Sequence, residues 1–168
     1  NLYMEGLTNI FDIPEYSDLA KAKSFTAELK EARQSVERMK EKILHSDVER
    51  FLYASKNIGG IKVITTTRTD LEAGDLRKLG DFLRDKDPDT VAVLATATES
   101  KVTFVAVCGK NAVAKGIRAG DLVRAVSAVA GGKGGGKPDS AMGGGSEVLK
   151  IDDALAVVDD FVAEKLGL

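Results

Sequence analysis

Residues 131–145 read GGKGGGKPDSAMGGG, and eight of the fifteen are glycine. Glycine adopts backbone conformations that other residues avoid, and it lets another molecule come close to the main chain. Three kinds of chemistry compete for such a segment. Gly131, Gly136 and Lys137 satisfy the GxxxxGK spacing of a phosphate loop. However, Pro138 stands where a Ser or Thr would reach a magnesium ion, and the segment follows an expected helix rather than a strand. A flexible linker is a second reading, but Lys133, Lys137, Pro138 and Asp139 inside the segment and a patterned helix after it are more than a linker needs. The third reading is a recognition loop for an anion, with backbone N–H groups presented beside lysines.

Charge favours the third reading. From Lys101 to Lys150 the basic residues are Lys101, Lys110, Lys115, Arg118, Arg124, Lys133, Lys137 and Lys150, against Asp121, Asp139 and Glu147. That segment carries +5 in a chain of net charge -2. A local basic zone on an acidic protein is the footprint of a nucleic-acid or phosphate partner. Other chemistry has few residues to work with. The chain has one His and one Cys, His45 and Cys108, too few for a closed Cys/His zinc site. Cys108 ends an apolar run with no His on a matching segment, so it reads as a core thiol rather than a nucleophile. No catalytic residue, metal ligand or cofactor is expected.

The elements that position the glycine segment can be read from periodicity. The chain has 168 residues, enough for one domain or one domain plus an appendage, and at 43% hydrophobic and 30% charged it has the balance of a folded protein. No apolar run approaches the ~20 residues of a membrane span, no signal-peptide pattern opens the sequence, and the single Cys points to a reducing, cytoplasmic setting. Residues 1–16 read as a tag remnant or a disordered lead, and Asn1 to Gly6 looks like either an altered protease-site scar or a native segment. From 17 to 45 no Gly or Pro interrupts, and Ala22, Phe25, Leu29, Ala32, Val36, Met39 and Ile43 follow a heptad. Such a helix packs on a second helix of the same chain, as a hairpin, or on a copy of itself, as a coiled coil. In the second case Phe25, Leu29, Val36, Met39 and Ile43 are its dimerisation residues. A break is expected at His45-Ser46-Asp47, with a shorter helix through Val48, Phe51, Leu52 and Ile58. This helical subdomain, 17–58, precedes a globular α/β subdomain, 59–168.

In the globular part, Ile61 to Thr67 reads as a strand and Asp70 to Lys86 as a helix. Thr90 to Thr98 and Lys101 to Cys108 are two strands apolar enough to be covered on both faces. Short helices are expected from Asn111 to Ile117 and from Ala119 to Ala130. A last one is expected from Ile151 to Leu166, with Asp152 and Asp153 suited to its positive end.

The motif strongly resembles the glycine-rich loop near the end of alanyl-tRNA synthetases, GGxGGGxPxxAxxGG. The fixed positions Gly131, Gly132, Gly134, Gly135, Gly136, Pro138, Ala141, Gly144 and Gly145 are all met. The order of elements, including "GGIKVI" and "KGIRAGDLV", also agrees, and the likeness runs from about Ser17 to Leu168, most specific in the last ~110 residues. The resemblance implies the C-terminal (C-Ala) domain of such an enzyme, without the domains that charge or edit tRNA. The fragment would then have no catalysis of its own, and its parent would be an ATP-dependent alanine–tRNA ligase. It implies binding to the outer corner of tRNA, where the D- and T-loops meet. Gly131, Gly132, Gly134, Gly135 and Gly136 would supply shape, and Lys133, Lys137, Lys115, Arg118 and Arg124 charge. A dimerisation module and a generic nucleic-acid binder, DNA included, are the alternatives. The same glycine loop is similar to the accessory domain of DHH-type phosphodiesterases, but the chain lacks the Asp-His-His motif such an activity needs.

Overall fold

The structure is a computed structural model and describes residues 17–168; the expected lead, 1–16, lies outside the described residues. The chain divides into two compact units, Asn1–Ile43 and Leu44–Leu168. One helix, α1 (Ser17–Tyr53), is continuous from the first into the second. The expected break at His45-Ser46-Asp47 is absent, because the polar trio has no helix-breaking residue and its Asp47 is used within the second unit. What reads in sequence as a second helix, 48–58, is the end of α1 followed by a three-residue strand, β1 (Lys56–Ile58). The intramolecular helical hairpin therefore does not form between these segments. In the first unit Phe25, Leu29, Val36, Met39 and Ile43 are all exposed.

The second unit is built on one six-stranded sheet of order β1-β2-β3-β4-β6-β5. Its other strands are β2 (Ile61–Thr67), β3 (Thr90–Ala97), β4 (Val102–Cys108), β5 (Lys133–Gly136) and β6 (Ser140–Gly145). Only β2 and β3 run parallel, joined through helix α2 (Ala73–Lys86). The remaining pairs are antiparallel. Helices α3 (Lys110–Ala114) and α4 (Ala119–Val129) connect β4 to β5, and α5 (Ile151–Lys165) closes the chain. Asn57 to Gly60 make the β1–β2 turn, with Gly59 and Gly60 at φ of 57° and 89°, which favours glycine there.

Strand alternation sorts the core into two layers. Val91, Val93, Val102, Phe104 and Ala106 face Leu122, Val126, Val158 and Val162 of α4 and α5. Ala92, Leu94, Val105 and Val107 face Leu76, Leu79 and Leu83 of α2 and Leu44 and Val48 of α1. The two central strands are thus covered on both sides, as their uninterrupted apolar character requires. Cys108 is buried, and burial, helped by the Asp139 charge, pushes its thiol up to about 12. It is a core thiol.

One polar cluster fixes the end of α1. Asp47 is only 6% exposed and receives Arg68 Nη1 at 2.7 Å and Arg50 Nη2 at 2.5 Å. The Arg68 fork also donates twice to Asp70, at 2.8 and 2.7 Å. These bonds hold the Asp70 carboxyl at about 2, below the usual carboxylate value. Lys62 likewise pulls the Asp87 carboxyl down through a hydrogen bond. Replacing Arg68 with Ala leaves Asp47 with only the exposed Arg50, and should cost about 3 kcal/mol in urea unfolding. Both depressed carboxyls contribute stability above their unfolded values and lose it as pH falls. The urea midpoint should hold from pH 7 to 5 and drop below about pH 4. In the Asp70→Asn, Asp87→Asn double variant that acid drop should be shallower.

Candidate nucleic-acid interface

The glycine-rich segment is not a loop. It is the β5–β6 hairpin at one edge of the sheet, turning at Pro138-Asp139, where the Lys137 N–H donates to the Ser140 carbonyl at 2.9 Å. Strand propensity could not have announced it, since glycine is depleted in strands. Tertiary packing is the reason it forms.

Register assigns each glycine a direction. Gly143 and Gly145 of β6 pair with Phe104 and Val102, and Gly134 pairs with Gly143, so all three share the face covered by α4. There the hairpin backbone touches the helix. A Cβ on Gly143 would stand 2.3 Å from Ser127 Oγ, and one on Gly145 would stand 2.2 Å from the Ala130 carbonyl oxygen. Within the hairpin a Cβ on Gly132 would lie 1.7 Å from the Gly144 oxygen. None of these positions can carry a side chain. Gly120 of α4 gives the same kind of clearance, with the Gly136 oxygen 3.0 Å from where its Cβ would be. The Ala119 N–H donates to the Pro138 carbonyl at 2.8 Å and joins the start of α4 to the turn.

Gly135 is different. A Cβ there would meet only the Arg124 guanidinium, at 3.7 Å, which is ordinary contact, and its φ is not in the left-handed region. Gly135 and Met142 are register partners on the other face of the hairpin, the one toward α2, as are Lys133 and Gly144. Of the ten residues expected at the interface, the six from Gly131 to Gly136 therefore form one structural unit, and Lys137 begins its turn. Arg118 is the exposed residue preceding α4, beside that turn. Arg124 pairs with Asp121 at 3.2 Å and reaches Gly135. Lys115 belongs elsewhere. Its Nζ lies 3.7 Å from where a Cβ of Gly60 would stand, at the β1–β2 turn on the opposite edge of the sheet.

Two cations escaped the sequence reading. Arg77 and Arg84 of α2 line a cleft of about 480 Å³ together with Gly135, Lys137, Asp139 and Met142. They fall outside the basic segment counted from Lys101, yet the spacing Arg77, Asp81, Arg84 places them on one stripe of a helix. Among the described residues no group of three or more His, Cys, Asp or Glu is arranged to hold a metal, and no helix is long and apolar enough to cross a membrane.

The sheet order and the edge hairpin define a known class. Residues 60–164 match the family model described as the DHHA1 domain, and the chain belongs to that family. Among its relatives is the alanine–tRNA ligase of Alkaliphilus oremlandii, 37% identical over 140 residues, which are 83% of this chain and 16% of that protein. The C-Ala domain of Aquifex aeolicus alanyl-tRNA synthetase superposes with a TM-score of 0.61 at 28% identity, over 65% of this chain and 97% of that domain. RecJ from Thermus thermophilus has the same fold, with a TM-score of 0.55 at 14% identity over 86% of this chain and 21% of that one. The chain thus spans about a sixth of the curated relative it matches.

Packing leads to a test of the glycines one by one. Gly143→Ala should lower stability by several kcal/mol or prevent folding, because backbone or a buried hydroxyl must move. Gly135→Ala should be neutral or raise stability by up to about 1 kcal/mol. Thermal unfolding of the two variants beside the wild type distinguishes them.

Proposed function

We propose that this chain is the tRNA-binding module of an alanine–tRNA ligase and that it grips the tRNA elbow, so that one bound tRNA serves both charging and editing. The observation that carries the reading is the glycine hairpin at the sheet edge, bearing Lys133 and Lys137, in a chain whose relatives are named for action on tRNA. Neither lysine forms an ion pair among the described residues. Both are exposed and available for phosphates. The module has no catalytic role. The ligase reaction belongs to other parts of the parent enzyme, and the setting is the cytoplasm.

The elbow of a tRNA offers a flat base-pair face next to closely spaced phosphates. Aromatic platforms are the common way to meet such a face. This chain has no Trp and few other aromatics. A backbone without side chains is the alternative, and lysines beside it supply the phosphate attraction. Since elbows are alike, the module alone would discriminate little between tRNAs, and a DNA backbone would compete weakly. A metal-dependent phosphodiesterase is disfavoured, because the chain has one His and no Asp-His-His motif.

Labelled tRNA titrated at two salt concentrations, with an acceptor minihelix lacking the elbow as control, tests the proposal. Whole tRNA should bind and the minihelix should not. Replacing Lys133 and Lys137 with Ala should weaken binding and flatten its salt dependence by about 0.7–0.9 log units per lost phosphate contact. Equal binding of both RNAs that vanishes with salt would reduce the site to a generic basic surface.

A second reading has its own observation. The heptad residues of α1 are exposed, Phe25 at 65% and Met39 at 63%. Large apolar side chains at that spacing suit a coiled coil between two copies, which is compatible with RNA binding. Sedimentation should give a dimer, and Leu29→Asp with Val36→Asp should convert it to a folded monomer. A wild-type monomer would end this reading.

A further inference from the structure

We propose that the cleft between α2 and the β5–β6 hairpin seats the ribose-phosphate edge that borders the elbow's base-pair face, with Arg77 and Lys137 as its phosphate ligands and Gly135 as its floor. The inference rests on the RNA-binding reading and assigns that reading a surface. Only one face of the hairpin is open to a ligand. The other is filled by α4, whose Ser127 and Ala130 lie against Gly143 and Gly145. The open face looks into the cleft of about 480 Å³, inside the ~300–1,000 Å³ span of sites that hold small ligand groups.

The charges there are sorted. Arg84 is engaged by Asp81 at 3.4 Å, Asp85 at 3.4 Å and Asp139 at 3.5 Å. It occupies the two carboxylates that line the cleft, Asp81 and Asp139, and ties α2 to the hairpin turn. Arg77 and Lys137 are exposed, with no ion pair among the described residues, and lie on opposite walls. Arg77 has the planar fork that meets phosphate oxygens two at a time. Lys133 shares the face by register.

Gly135 carries the argument furthest. Neither packing nor backbone conformation requires glycine there, so a methyl group would fit without disturbing the fold. Apart from the Arg124 guanidinium, 3.7 Å from where its Cβ would be, the space above it is open to something outside the protein that lies on the strand. A backbone strand of RNA, flanked by Arg77 and Lys137, has that shape and charge.

The experiment compares the wild type with Gly135→Leu, Arg77→Ala and Lys165→Ala in the tRNA titration at two salt concentrations. Each variant is first checked for an unchanged thermal midpoint. Gly135→Leu should bind at least about tenfold more weakly, because it fills the floor. Arg77→Ala should lose about fivefold to tenfold at 0.1 M salt and flatten the salt slope by about 0.7–0.9 log units, the signature of one lost phosphate contact. Lys165→Ala, on α5 and the opposite face of the sheet, should match the wild type. If the wild type binds tRNA and both cleft variants bind it equally well with the same slope, the cleft is overturned and the RNA-binding reading stands. If the wild type binds no tRNA, both fall. Arg77 lies on an exposed face of α2, so its variant keeps the test decisive even if Gly135→Leu does not fold.

Discussion

The close approach of the β5–β6 backbone to α4 is the constraint on which this fold depends. Strands usually meet helices through two layers of side chains, about 10 Å apart. Here one layer is missing. Gly143 and Gly145 bring the main chain of β6 down to Ser127 and Ala130. Glycine is entropically costly in a strand, by roughly 0.5–1 kcal/mol a position. The segment accepts that cost repeatedly, which means that the contact returns more than it takes. Ser127 Oγ lies buried in that contact with no hydrogen-bond partner among the described residues. A polar atom left in such a place marks how little room the two backbones leave each other.

That contact decides which side of the hairpin can serve a partner. With α4 seated on one face, only the face toward α2 remains open, and Arg77, Arg84 and Lys137 line the cleft there. A count of basic residues along the chain does not say which of them share a surface. Lys115 sits in the basic segment and falls at the far edge of the sheet, whereas Arg77 lies outside the segment and lines the open cleft. The sheet order β4-β6-β5 puts the hairpin at the edge away from Lys115, where it shares a cleft with α2.

How much could be read in advance follows from the kind of signal each element sends. β2 was legible to the residue, because Ile61 to Thr67 is rich in β-branched side chains. β3, β4 and α5 were legible within a residue or two for similar reasons. The continuity of α1 through His45-Ser46-Asp47 was not, since a polar trio in a helix reads as a break unless Asp47 is known to meet Arg68, twenty-one residues later. The strands β5 and β6 were invisible to propensity. Their glycines were recognisable as a motif, and the motif gave the family, but it could not say which glycines face inward. Ten of the fifteen residues become strand only because α4 and β4 are there to receive them.

Glycines in a recognition motif invite the inference that each one meets the ligand. The structure divides them instead. Gly132, Gly143 and Gly145 have no space for a methyl group because the protein's own atoms occupy it, and they would be required whatever the hairpin bound. Gly135 has the space and does not use it. A motif of this kind therefore holds glycines of two sorts. The first lets the hairpin backbone lie directly against α4. The second leaves the strand open at Gly135, next to Met142 on the face toward α2. A surface made this way reads shape and charge rather than base identity. Under the proposed RNA-binding role, such a surface suits a structural feature that many RNAs share.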